Sequence, residues 1–223
     1  MAEAGEYAAH SAYKVRGAYY KISTLSEEEL SHGLITASAG NHAQGVAYAA
    51  SRAGVRAVVV MPTTTPLIKV ERTKGYGAEV VLAGDVYDEA CDYALKLAER
   101  EGLTFIHPFN DPVVATGQGT IAMEIVQELP LVDTILVPVG GGGLSCGVST
   151  FAKLYNPKIR VVGVERRAHP RLPQRLRPDT LFAYLLQTPL QTARQCLRLA
   201  MLFSRIYVTT STMLSPFPTK NLS

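Results

Sequence analysis

From residue 34 onward, apolar runs and amphipathic stretches alternate along the chain in the manner of βαβ units. The apolar run GLITAS leads into AGNHAQGVAYAASRAG, an alanine-rich helix opened by Gly40 and Asn41 and closed by Gly54. VRAVVVMP is a short β-branched run ended by Pro62, the pattern of a strand buried on both faces in a parallel sheet. TTTPLIKVERTKGYG predicts a helix with Thr65 as N-cap and Pro66 as its first residue. AEVVLAG reads as strand, DVYDEACDYALKLAEREG as a periodic helix with Gly102 beyond its end, and LTFIHP as a fourth strand. NDPVVATGQGTIAMEIVQELP reads mainly as helix from Gly119 onward. It is followed by the strand DTILVPV, the loop GGGGL, the helix SCGVSTFAKLYN and the strand RVVGVE. The pattern predicts an α/β protein: an open, largely parallel sheet system with helices on its faces and no internal repeat.

The loop Gly140–Gly143, followed by Leu144, lies between a predicted strand and a predicted helix. Without side chains, its backbone N–H groups can converge on one anion, and the helix N-terminus behind it adds a favourable dipole. Phosphate is the natural ligand; a tight βα turn in which glycine only permits close packing is the plainer alternative. A dinucleotide fingerprint wants G-x-G-x-x-G and an acidic residue about 20 positions on. Glu165 stands near that distance, but Ser145 or Cys146 occupies the third glycine position, depending on register. No G-x-x-x-x-G-K-[ST] is present, which argues against a nucleotide triphosphatase.

Composition divides the chain. Residues 1–165 carry 13 Lys and Arg against 18 Asp and Glu, whereas residues 166–223 carry 9 basic residues against Asp179 alone, and all 18 glycines lie at or before Gly163. Residues 166–223 therefore read as an atypical, poorly ordered basic tail, in which 190–208 has the spacing of an amphipathic helix. Three separated cysteines, Cys91, Cys146 and Cys196, argue against a disulfide scaffold or a zinc site and fit a reducing cytoplasm. Neither a signal-like N-terminus nor a membrane-length apolar stretch is visible. Neither nucleic acid nor membrane is expected as a partner.

On the residues alone, Lys14 is a solvated lysine beside Arg16 and Lys21, Asn41 a helix cap, His42 a first-turn helix residue, Ser38 a turn hydroxyl and His107 a strand-end residue. The ordered set changes this reading. SAYKVRGAYYKI, TASAGNHAQGVAYAA, GYGAEVVL, HPFNDPVVATGQGTIAMEI, VPVGGGGL and VVGVE together resemble the threonine/serine dehydratase group of pyridoxal 5'-phosphate (PLP) enzymes, over about residues 12–165. That group has the tryptophan synthase β-like fold (PLP fold type II), with two open, largely parallel sheets and flanking helices. The resemblance implies a partial large, PLP-binding domain from 1–33 and 114–165, with a small α/β domain from 34–113.

It also implies roles. Lys14 would bind PLP covalently and act as the catalytic base, with Tyr13 against the cofactor ring and Asn41 bonded to the cofactor's phenolic oxygen. Gly140, Gly141, Gly142, Gly143 and Leu144 would cradle the phosphate, and Ser38, Ala39, Gly40, Asn41 and His42 would receive the substrate. The implied reaction is loss of water from L-threonine or L-serine, with release of a 2-oxo acid and ammonia. In the serine racemases of the family a serine base stands at the position of Ala39, so elimination is expected over racemisation. A homo-oligomer is the family's usual state. The match stops after Glu165, which predicts an incomplete large domain and a foreign continuation. Arg171 at the second acidic position of the family's cation site predicts no metal there. A nucleotide-binding α/β module without catalysis, resting on the glycine loop and Glu165, is one rival reading, and an inactive fragment is another.

Overall fold

The computed structural model describes residues 12–164 together with Tyr207 and Val208. Two helices open the described chain, α1 (Lys14–Ser23) and α2 (Glu27–Ser31). In α2, Ser26 and Glu29 cap one another, each side chain accepting from the other's backbone N–H. Then follow β1 (Leu34–Ala37), α3 (Asn41–Ala53), β2 (Ala57–Met61), α4 (Leu67–Lys74), β3 (Glu79–Leu82), α5 (Tyr87–Glu101) and β4 (Thr104–Phe105). These four strands form one parallel sheet in the order β3-β2-β1-β4. Next come α6 (Pro112–Glu128), β5 (Thr134–Pro138), α7 (Gly143–Tyr155), β6 (Arg160–Val164) and β7 (Tyr207–Val208). The last three strands form a second parallel sheet, β5-β6-β7.

The continuous apolar runs of β1 and β2 belong to the centre of the first sheet, where every residue of both strands is buried. Alternation along a strand then feeds two cores. Leu34, Val59 and Met61 pack with α1 and α3 through Ala18, Ile22, Ala43, Val46 and Ala47. Ile35, Ala37, Val58 and Val60 pack against Ala90, Ala94, Leu97 and Ala98 of α5. Edge strand β3 is more exposed, and its Glu79 carries a bidentate ion pair to Arg56. In the second sheet, Ile135, Val137 and Val161 meet Ala122 and Val126 of α6 and Val148 and Ala152 of α7.

The glycine stops after α3 and α5 stand where the pattern placed them, with Gly54 and Gly102 both in the left-handed region. Other boundaries moved. Helix α4 begins at Leu67 with Pro66 as its N-cap, and the Thr65 hydroxyl caps nothing among the described residues. Helix α6 begins at Pro112, seven positions before Gly119, because the Asp111 carboxylate accepts from the N–H groups of Val113 and Val114 and proline is preorganised for the first turn. Gly117, Gly119 and Val114, which weakened helix propensity in VVATGQG, are buried in helix packing. Strand β4 is only Thr104–Phe105, so the rest of LTFIHP belongs to a connector. Tyr207 and Val208, placed by spacing at the end of an amphipathic helix, are instead a strand beside β6. Residues 165–206, including Glu165 and Arg171, and 209–223 lie outside the described residues.

Helices α1, α6 and α7 approach through glycine. A Cβ on Gly117 would lie 2.7 Å from the Gly17 Cα, and one on Gly147 would collide with the Ala115 carbonyl oxygen. Such contacts cannot be relieved by rotating a side chain, because the obstacle is backbone. Gly147→Ala is therefore expected to destabilise the fold by roughly 1–3 kcal/mol, the usual cost of overpacking. Thermal unfolding followed by circular dichroism checks this, and a midpoint equal to that of the unsubstituted chain would contradict the packing account.

Candidate active site

Lys14 is the first residue of α1, and its place is set by two helix contacts. Gly45 of α3 lies so close that an added Cβ would stand 3.1 Å from the Val15 Cα and 3.4 Å from the Lys14 carbonyl carbon. On the other side α1 crosses α6 at Gly17 and Gly117. The Lys14 amine donates to the Pro108 carbonyl at 2.7 Å and stands 5.7 Å from the Tyr13 ring centroid and 5.9 Å from that of Phe109. Burial in these surroundings lowers its pKa to about 8. Near neutral pH, Lys14 is thus an amine with an appreciable neutral, nucleophilic fraction.

Two turns open at the C-terminal ends of parallel strands, the usual position of ligands in open α/β sheets. Residues 38–40 join β1 to α3, and Ser38 Oγ accepts from the Gly40 N–H at 3.2 Å. Gly40 is the N-cap of α3, and exposed Asn41 is its first residue rather than its cap. Residues 139–142 join β5 to α7, with Gly142 at φ +90° as the N-cap. The first helical bond behind this loop runs from the Cys146 N–H to the Gly142 carbonyl at 2.8 Å. The N–H groups of Gly143, Leu144 and Ser145 precede it, the ordinary anion-binding end of a helix. The Leu144 side chain packs on the apolar core between α6, α7 and the second sheet, which leaves its backbone N–H as the group it offers.

The connector 106–111 joins these parts, and the sequence reading missed it. Phe109 lies between the lysine and the glycine loop: a Cβ on Gly141 would stand 2.5 Å from the Phe109 ring, and one on Gly143 3.2 Å from the Phe109 Cα. Gly141 therefore has no room for a side chain and Gly143 little, whereas a Cβ on Gly140 or Gly142 would meet nothing within 4 Å. The loop is packed on one side and open on the other. His107, read from sequence as a strand-end residue, closes the connector: its Nδ1 accepts from the N–H groups of Asn110 at 2.8 Å and Phe109 at 3.3 Å, and burial lowers its pKa to about 4. His42 is a first-turn residue as expected, but fully buried. Its Nε2 bonds to the Ile106 carbonyl at 3.2 Å, and burial holds its pKa down to about 3. The one local signal for this connector was Asn110-Asp111-Pro112, a helix start directly after a strand, which leaves Ile106–Asn110 as a bridging turn.

The structure brings Lys14, Tyr13, His42 and, through Phe109, Gly141 and Gly143 into one neighbourhood. These groups suit a phosphate-bearing aldehyde: a buried amine nucleophile, aromatic rings beside it, and a glycine loop open on one side at a helix N-terminus. Fold and site together describe an open parallel α/β protein whose groups suit a phosphorylated carbonyl compound. Residues 9–201 match the family described as pyridoxal-phosphate dependent enzyme, and the chain belongs to that family. The match runs past the motif-bearing stretch that ends at Glu165.

The L-threonine ammonia-lyase of Thermotoga maritima is 52% identical over 165 residues, covering 74% of this chain and 41% of that protein. Among solved structures, the processed form of threonine deaminase isoform 2 from Solanum lycopersicum superposes with a TM-score of 0.73 at 41% identity, covering 89% of this chain and 60% of that one. Maize serine racemase superposes with a TM-score of 0.73 at 32% identity, covering 90% and 63%. The tryptophan synthase β-like fold class expected from the motifs is thus met. The chain spans less than half the length of its curated relative.

Proposed function

We propose that the chain carries the lysine-and-phosphate portion of a PLP-dependent threonine ammonia-lyase, with L-threonine as first substrate and L-serine as second. The observation that carries this reading is the buried Lys14 amine, held by the Pro108 carbonyl and linked through Phe109 to the glycine loop. Identity of 52% to a threonine ammonia-lyase supports the substrate class.

Lys14 would hold the cofactor, and the backbone N–H groups from Gly140 to Leu144 its phosphate. Tyr13 would lie against its ring, with Asn41 at its phenolic oxygen. When bound, PLP supplies the electron sink that makes an amino acid's α-proton removable. Once free of the cofactor, the Lys14 amine would be the base that takes that proton. The turn Ser38-Ala39-Gly40 and the N-terminus of α3, with Asn41 and His42, would receive the substrate carboxylate through backbone N–H groups. The β-hydroxyl would leave as water, and hydrolysis of the released enamine would give the 2-oxo acid and ammonia. Ala39 places a methyl group where the racemases carry a serine base. A methyl moves no proton, which favours elimination over racemisation. No helix among the described residues is long and apolar enough to cross a membrane.

The test incubates purified protein with PLP and L-threonine and measures 2-oxobutanoate and ammonia, with L-serine in a parallel reaction. Equal release of both products from L-threonine, lost in Lys14→Ala, is expected. D-serine formed from L-serine without 2-oxo acid would favour the racemase reading and overturn this one.

A further inference from the structure

The Ile106 carbonyl lies two residues before the carbonyl that holds Lys14, and it accepts two buried side-chain donors. The Thr36 hydroxyl of β1 donates at 2.7 Å and His42 Nε2 of α3 stands at 3.2 Å. Thr36 is a fully buried hydroxyl in an otherwise apolar central strand. His42 is 3% exposed, and its Nδ1 has no partner among the described residues. Two polar side chains buried at one backbone oxygen are a poor choice for packing alone, since Val or Leu would fill the same core without a polar atom.

What they fix is a short rigid path. The Ile106 N–H donates to the Ile35 carbonyl at 2.8 Å, extending the pairing of β4 with β1. The His107 ring closes the turn that follows. At the far end Asp111 caps α6 and pairs with Lys21 of α1 at 3.0 Å. Between these anchors stand the Pro108 carbonyl and the Phe109 ring, the acceptor and part of the cover of the Lys14 amine.

We infer that Thr36 and His42 are positioning residues for Lys14: through the shared Ile106 carbonyl they hold the 106–110 turn where Pro108 meets the lysine amine and Phe109 shields it. Neither touches the amine. His42 works as a neutral donor, because burial disfavours its cation and the Lys14 amine and His107 ring facing it disfavour it further. The inference deepens the assignment of Lys14 given above and rests on it for its catalytic meaning, while its geometry stands without PLP.

The experiment uses cofactor-free full-length chain in four forms: unsubstituted, Thr36→Val, Thr36→Ser and His42→Leu. Amide hydrogen exchange is read at Phe109 and Asn110, with the α5 amides as internal reference. Lys14 is titrated by competitive acylation and mass spectrometry. Thr36→Val and His42→Leu are expected to speed exchange at Asn110 at least fivefold relative to α5. Water then reaches the amine, so its titration midpoint rises from about 8 by half a unit or more, because burial is what lowers it. Thr36→Ser, which keeps the hydroxyl, is expected to behave as the unsubstituted chain.

An unchanged Lys14 midpoint in both variants, faster exchange shared equally by α5, or Thr36→Ser as impaired as Thr36→Val would each overturn the inference. A chain that takes no PLP at Lys14 while passing these tests would sink the functional reading alone.

Discussion

Lys14→Ala is expected to abolish the visible absorption band of protein-bound PLP while leaving the far-ultraviolet spectrum of the fold intact. Lys153 is buried as well, and its surroundings differ from those of Lys14. The Lys153 amine donates to the carbonyls of Pro157 at 3.0 Å and Ile159 at 2.5 Å, closing the C-terminal end of α7, a helix length away from the glycine loop. Lys14 has one acceptor, two aromatic rings near its amine, and the glycine loop on the far side of Phe109. Removing its side chain leaves the Pro108 carbonyl without this donor, a loss of about 1 kcal/mol for an ordinary hydrogen bond. It also removes an amine that burial disfavours as a cation, so the fold tolerates the change. A band of undiminished intensity in Lys14→Ala would move the cofactor to another lysine and undo the site.

The rate of covalent PLP attachment is expected to rise about tenfold between pH 7 and pH 9 and then level off. The neutral amine is the attacking form, and a pKa of about 8 places half of it there at that pH. An ordinary lysine, with a pKa near about 10.4, would give about a hundredfold rise over the same interval with no plateau. Stability shows the same shift through linkage. Between about 8 and 10.5 the unfolded chain binds more protons at this residue than the folded one, so this contribution to stability rises with pH across that window and is flat below it. Single-turnover loading followed by absorbance checks the kinetic form. A steady hundredfold rise through pH 9 would mean that the Lys14 amine is solvated.

Much of this architecture was legible because a few residues carry strong local physics. The buried runs of β1 and β2, and Gly54 and Gly102 at helix ends, follow from periodicity and from the glycine requirement of a left-handed turn. Lys14 and the glycine loop stood out only as an ordered set of motifs, since nothing about Lys14 in isolation distinguishes it from Lys21. Other features depended on contacts distant in sequence. Helix α6 starts early because Asp111 caps it and because Gly117 and Gly119 meet Gly17 and Gly147, contacts that intrinsic propensity cannot register. The role of the 106–110 turn depends on hydrogen bonds to Thr36, His42 and Lys14, all 64 or more positions away in sequence. Away from the turn itself, the polar Thr36 inside an apolar strand was a further mark.

The central claim is that Lys14 is the residue that binds PLP. Its most direct test is to incubate the unsubstituted chain with PLP, fix the linkage with borohydride, digest, and locate the phosphopyridoxyl group by mass spectrometry. One stoichiometric label on the peptide containing Lys14 is expected. Labels spread over exposed lysines such as Lys74, with Lys14 unmodified, would contradict it.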